Sequence, residues 1–112
     1  MDKKKFSNNQ ENHIAKVLGG KKVANSGATP FNKGDVITDL FVIECKTKTK
    51  ESKSMNIQKD WIDTIKTESF AMGRAFSAVA FNFGGLHNNE NYYIIDEELF
   101  KMLHQMLEDK YK

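Results

Sequence analysis

The sequence predicts an α/β fold: a central mixed sheet flanked by helices, with elements in the order α-β-β-β-α-β-β-α. Three observations predict it. Short runs rich in β-branched and aromatic residues, at 35–38, 40–46, 76–83 and 92–95, alternate with stretches of helical apolar spacing. Turn-forming residues punctuate these runs, most densely over 26–34. The 112 residues show no repeat and no linker, which suits one core spanning residues 1–112.

The elements follow in order. A first helix is expected over 8–18, where Ser7 and Gln10 fit a capping box and Gly19-Gly20 supplies the stop. Its apolar side carries Ile14, Ala15, Val17 and Leu18, and Glu11 shares that side, either at its rim or pointing into a site. Residues 1–7, with Lys3, Lys4 and Lys5, read as a flexible basic arm. A short strand over 21–25 precedes the turn-rich loop, and 35–38 and 40–46 form a tight hairpin through Thr38 and Asp39. Residues 46–53 form a polar loop carrying Lys46, Lys48, Lys50 and Lys53. A second helix over 55–72 has Ile57, Trp61, Ile62 and Ile65 inward and Gly73 as its terminator. The strand 76–83 ends at Gly84-Gly85, and a hairpin loop over 82–91 leads to the strand 92–95. Asp96 caps a last helix, with Glu97 and Glu98 complementing the dipole of its first turn. Its stripe of Leu99, Leu103, Met106 and Leu107 reads as closing the core rather than as a dimer face.

Composition narrows the function classes. No apolar run is long enough to span a membrane, and the charged N-terminus lacks the apolar stretch of a secretory signal, so a cytoplasmic protein is expected. One cysteine, Cys45, excludes an intramolecular disulfide framework and a multi-cysteine zinc site. The histidines lack metal-ligand spacing. The net charge of +2 conceals an asymmetry: residues 1–60 carry twelve lysines against seven acids, and residues 61–112 carry five basic against eight acidic residues.

One strand breaks its own pattern. Phe41, Val42 and Ile43 read as core, yet Glu44 and Lys46 continue the strand on the face of Val42. Charges projecting from an apolar strand need a partner, a metal or a function. Asp35, across the hairpin, brings a second carboxylate toward Glu44. Two carboxylates and a lysine suit phosphodiester hydrolysis: the carboxylates hold a hard cation such as Mg²⁺, and the lysine stabilises the charged transition state. The spacing by itself arises about twice by chance in so charged a chain, so the apolar strand, the hairpin and the glycine before Asp35 carry the argument.

Gly34-Asp35 followed by Ile43-Glu44-Cys45-Lys46 resembles the PD-(D/E)XK nuclease signature, with Gly34 in the place of the proline. The element order resembles that superfamily's restriction-endonuclease-like αβββαβ core, plus an extra strand and a C-terminal helix. The closer resemblance is to the small archaeal-type Holliday junction resolvases and their phage relatives. It extends over about residues 8–96 and includes Glu11 and the run Asn25, Ser26, Gly27, Ala28. The resemblance implies that Asp35 and Glu44 are metal ligands, joined by the carbonyl of Cys45. It further implies that Lys46 is the catalytic lysine, that Glu11 contacts the metal directly or through water, and that Ser26 lies near the scissile phosphate. It implies Mg²⁺, with Mn²⁺ as a substitute, and a homodimer that nicks both sides of a four-way DNA junction by metal-activated water. For a phage protein the compartment would be the bacterial cytoplasm.

In that setting Lys48, Lys50 and Lys53 flank the cleavage site, and Lys33 with Lys3, Lys4 and Lys5 extends the DNA-binding face. Contacts of this kind read phosphates rather than bases. Two other readings compete: a nuclease acting on other branched, nicked or linear DNA, and an inactive DNA-binding accessory protein.

Overall fold

A computed structural model of the chain describes residues 3–23, 34–85 and 87–112. Its elements are α1 (Lys3–Leu18), β1 (Lys21–Lys22), β2 (Val36–Ile37), β3 (Phe41–Lys46), α2 (Lys59–Ala71), β4 (Phe76–Phe81), β5 (Tyr92–Ile94) and α3 (Glu97–Tyr111). The expected α/β class and element order are both present. The five strands form one sheet in sequence order, with β3 and β4 parallel and every other neighbouring pair antiparallel. α2 makes the crossover that a parallel pair requires.

The two-residue alternation of β3 divides the core. Ile43 packs with Val36, Ala78, Ala80 and Ile14 of α1, while Val42 packs with Val79 and Ile65 of α2. Glu44 and Lys46 follow Val42 onto the α2 face, at the end where the apolar packing stops. The hairpin between β2 and β3 closes through Thr38, whose N–H donates to the Phe41 carbonyl and whose hydroxyl accepts from the Phe41 N–H.

Both helix stops expected at glycines are present. Gly19 and Gly73 hold φ of 67° and 68°. Behind them Gly20 N–H donates to Ala15 O and Arg74 N–H to Ser69 O, the wrapped ending that left-handed glycine permits.

Three expectations change. α1 starts at Lys3, so residues 3–7 are helix rather than arm, and the Ser7–Gln10 pair lies inside the helix rather than capping it. The reason is tertiary: Phe6, Gln10 and Ile14 recur every four residues and are all buried, which outweighs three lysines at a helix N-terminus. α2 starts at Lys59 because Gln58 is extended, which leaves Ile57 outside the helix and exposed. α3 begins on the Asp96 cap, as expected, with the Leu99 N–H donating to Asp96 Oδ1 at 2.9 Å. It does not close the core, however: Leu99 is its one buried residue, and the remainder of its apolar stripe is open.

Candidate active site

The site begins with a mismatch in strand length. β2 has two residues and β3 has six, so the end of β3 runs past its neighbour. Asp35 N–H still donates to Ile43 O, after which the backbone of β2 offers nothing further to Cys45. The Asp35 carboxylate takes the place of the missing strand, and its Oδ2 accepts the Cys45 N–H at 2.8 Å. In a strand the N–H and C=O of one residue point the same way, so the Cys45 carbonyl is also directed toward Asp35. The Asp35 carboxylate is thereby fixed beside β3 at the position where Glu44 emerges.

Gly34 permits this approach. Its φ is +80°, and a Cβ there would lie 2.5 Å from Val42 Cγ1 and 3.2 Å from Ile65 Cδ1. The site's glycine is thus needed for both its backbone angle and its lack of a side chain.

Glu44 and Lys46, two residues apart on one face, form an ion pair at 3.2 Å with both side chains largely covered. The Lys46 ammonium also lies 4.8 Å from the centre of the Trp61 ring, so α2 supplies an aromatic floor to the lysine. Trp61, expected only as a core residue, therefore has a second contact at the site. Glu11 approaches from α1. Its carboxyl is pushed up to about 7, first by burial, then by Asp35 and to a smaller extent by Glu44, against the opposing pull of Lys22. The Glu44 carboxyl is also pushed up to about 7, by burial and then by Asp35, with Lys46 opposing and Glu68 of α2 adding to the rise. The three acids therefore share one field, and the pull of Lys22 on Glu11 and of Lys46 on Glu44 does not offset it.

The sequence-predicted residues divide accordingly. Asp35, Glu44, Cys45, Lys46 and Glu11 come together. Cys45 packs its side chain on the Ile14 and Val36 cluster, and burial followed by the nearby carboxylates pushes its thiol up, away from nucleophile chemistry. Ser26 and Lys33 lie outside the described residues, as do the side chains of Lys3 and Lys4. Lys5 is exposed on the first turns of α1. Lys50 and Lys53 are exposed on the loop after β3, whereas Lys48 is tied into that loop by donating to Ser54 O at 2.8 Å and Ser52 Oγ at 3.3 Å. The loop is anchored on the β4–β5 connection, where Ser52 N–H donates to Phe83 O and Gly85 N–H to Lys48 O. Gln58, the extended residue before α2, and Lys59 in its first turn are both exposed, with Lys59 paired to Asp63.

A buried amide network behind Lys46 was not foreseen. Gln10 Nε2 donates to Lys46 O at 2.9 Å and to Asn91 Oδ1 at 3.1 Å, and the Asn82 N–H donates to the same Lys46 carbonyl. Asn82 Nδ2 donates to Asn91 Oδ1, and its side-chain oxygen accepts from the Thr47 hydroxyl and the Gly84 N–H. Gln10 and Asn82 are 2% and 1% exposed, so these bonds fix the backbone at the C-terminal end of β3 in a low-dielectric setting. The sequence did hold a signal: Gln10 sits four residues from both Phe6 and Ile14, on the buried face.

Among the described residues no three His, Cys, Asp or Glu side chains form a ready-made metal cage. Mg²⁺ does not require one, since it is commonly held by one or two carboxylates with water and substrate oxygens completing its shell. The all-oxygen donors Asp35, Glu44 and the Cys45 carbonyl suit that ion, and mutually repelling carboxylates are what a cation relieves. No helix among the described residues is long and apolar enough to cross a membrane. Comparison of the chain with protein-family models, with curated proteins and with solved structures finds no match.

Proposed function

We propose that this protein is a Mg²⁺-dependent DNA endonuclease of the PD-(D/E)XK type, acting on four-way junctions as a homodimer. The observation that carries the reading is the Asp35 carboxylate held on the Cys45 N–H beside the Glu44–Lys46 ion pair, at the end of an otherwise apolar strand. The topology adds support, because an antiparallel run of three strands followed by a crossover helix and a parallel fourth strand is what that resemblance implies. The restriction-endonuclease-like identity of the core belongs to this proposal.

Asp35, Glu44 and the Cys45 carbonyl would hold the cation, with Glu11 as the outer acid. A cation there supplies Lewis acidity, lowering the pKa of water and offsetting charge on the phosphate. The chain's own groups do the positioning. Asp35 is locked by the strand end, and Glu44 orients the ammonium of Lys46. Lys46, free to exchange Glu44 for a phosphoryl oxygen, stabilises the charge that grows in the transition state. The exposed Lys50 and Lys53 would meet the DNA backbone.

The test uses Mg²⁺ with a four-way junction, a nicked duplex and a linear duplex offered separately. Paired nicks in the junction, abolished in Asp35→Ala and Lys46→Ala, are expected; loss of one metal ligand or of the charge-stabilising lysine should lower the rate by about 100-fold or more. Equal cleavage of all three substrates would transfer the assignment to a general branched or linear DNA nuclease. Tight binding without cleavage in Mg²⁺ or Mn²⁺ would transfer it to an accessory DNA-binding protein.

A further inference from the structure

The apolar face of α3 takes no part in the site. Phe100, Met102, Leu103, Met106, Leu107 and Tyr111 are all exposed, Met106 at 64% and Tyr111 at 75%. Beside the helix lies an apolar groove of about 370 Å³, walled by Leu18, Phe41, Tyr93 and Ile95 and sharing Leu99 and Leu103 with the stripe. Helix face and groove are thus one continuous patch, larger than the scattered apolar exposure normal for a surface.

We propose that this patch is a self-association surface, on which two copies pair α3 against α3 in antiparallel fashion about a two-fold axis. The proposal gives the homodimer of the nuclease reading its surface, but the argument for it is independent of DNA and metal. The charge of the segment disfavours a polyanionic occupant: residues 96–112 hold five acids against three lysines, which repels nucleic acid and anionic lipid. The position of one of those lysines selects a second copy and its direction. Lys110 follows Leu99, Leu103 and Met106 at spacings of four, three and four, so it lies within the apolar stripe at its C-terminal end. Parallel pairing would bring two such lysines together in the seam. Antiparallel pairing instead places each beside the first turn of the other copy, where Asp96, Glu97 and Glu98 lie, and it opposes the two helix dipoles.

The area is also adequate. At about 150–250 Å² for a fully open aromatic residue, and less for Leu and Met, the six side chains present on the order of 600 Å² per copy. Two such faces together with the grooves reach the range of about 1,200–2,000 Å² that stable interfaces bury. Such a contact is isologous and closes on itself, so the Asp35 sites of the two copies would be related by its two-fold axis.

Sedimentation of the full chain, without DNA or metal, tests this directly. The expected species has twice the 12.8 kDa chain mass, and Met106→Glu/Leu107→Glu should be monomeric with an unchanged circular dichroism spectrum. Both positions are exposed, so the double variant does not perturb the core. Lys110→Glu should weaken the dimer about tenfold through its two symmetric contacts, and adding Glu98→Lys should restore most of it. A monomeric wild type at 100 µM scale (about a hundred times a micromolar affinity), or a dimer indifferent to Met106→Glu/Leu107→Glu, overturns the surface. A dimer indifferent to charge reversal at Lys110 overturns the antiparallel arrangement. Junction cleavage is a separate measurement, so either proposal can fail without the other.

Discussion

Glu11 and Glu44 each sit where the charged form is disfavoured by burial and by the carboxylate of Asp35, and both are pushed from 4.5 up to about 7. The consequence for stability has a definite sign. Below the unfolded value both states are protonated and the acids cost nothing. As pH rises from about 4.5, the unfolded chain releases protons that the folded protein keeps, so stability falls until the folded groups ionise near 7. Thermal unfolding of the metal-free protein should therefore show a Tm that declines between pH 5 and pH 8. In Glu44→Gln, which lacks one of the two titrations, the decline should be shallower. Mg²⁺ should raise the Tm more at pH 8 than at pH 5.5, since protons and cation compete for the same oxygens. A Tm that rises across this range in wild type and variant alike would show that the three acids do not share a field.

The Glu44–Lys46 pair was legible at this scale because β3 violates its own pattern: charges at Glu44 and Lys46 follow an apolar run, and the two-residue period alone places them on one face. The hydrogen bond from Cys45 to Asp35 was not legible. It depends on β3 running three residues past the Val36–Ile43 pair where β2 begins, a detail of strand length that side-chain pattern does not encode. The role of Gln10 was obscured by an alternative local reading as a capping residue, and long-range burial decided between the two.

Element boundaries moved for the same kind of reason. α1 gains a turn because Phe6 finds the core, and α2 loses one because nothing holds residues 55–58 in a helix. The glycine-terminated ends were correct, since a left-handed residue is a local requirement that sequence states directly. Gly34 shows the local requirement joined to a tertiary one. An alanine there must hold φ near +80° and place its Cβ 2.5 Å from Val42 Cγ1. The left-handed conformation costs about 1–2 kcal/mol and the crowding about 1–3 kcal/mol, so Gly34→Ala should destabilise the fold by roughly 2–4 kcal/mol. Urea denaturation measures it, and a loss below 0.5 kcal/mol (about the level of a neutral surface substitution) would mean that the β2 entry shifts freely. Cleavage should fall with it, because the residue displaced next is Asp35.

Across the whole molecule, charge and apolar surface are segregated. The half with twelve lysines includes the site and the exposed loop lysines, while the acid-rich half ends in the open stripe of α3. On the two proposals above, the first half of the chain would meet a polyanion and α3 a second copy of itself. The loop sharpens the first part of that division. Lys48 spends its ammonium on Ser52 and Ser54, so its charge is committed to holding the loop, whereas Lys50 and Lys53 are exposed. Each lysine neutralising a DNA phosphate contributes about 0.9 to the slope of log affinity against log salt. Replacing Lys50 and Lys53 together by Gln should therefore reduce the magnitude of that slope by roughly 2 and weaken binding to every DNA sequence alike. Lys101→Gln/Lys112→Gln, which removes the same charge from α3 and its C-cap, should leave the slope unchanged, because those lysines are not part of the proposed DNA-binding loop. Fluorescence anisotropy of a labelled junction between 50 and 200 mM salt (a range over which phosphate-driven binding loses about 10³–10⁵ in affinity for 6–10 contacts) reads both variants. Equal slopes for the two double variants would show that only net charge matters, and would remove the loop from the DNA-binding face.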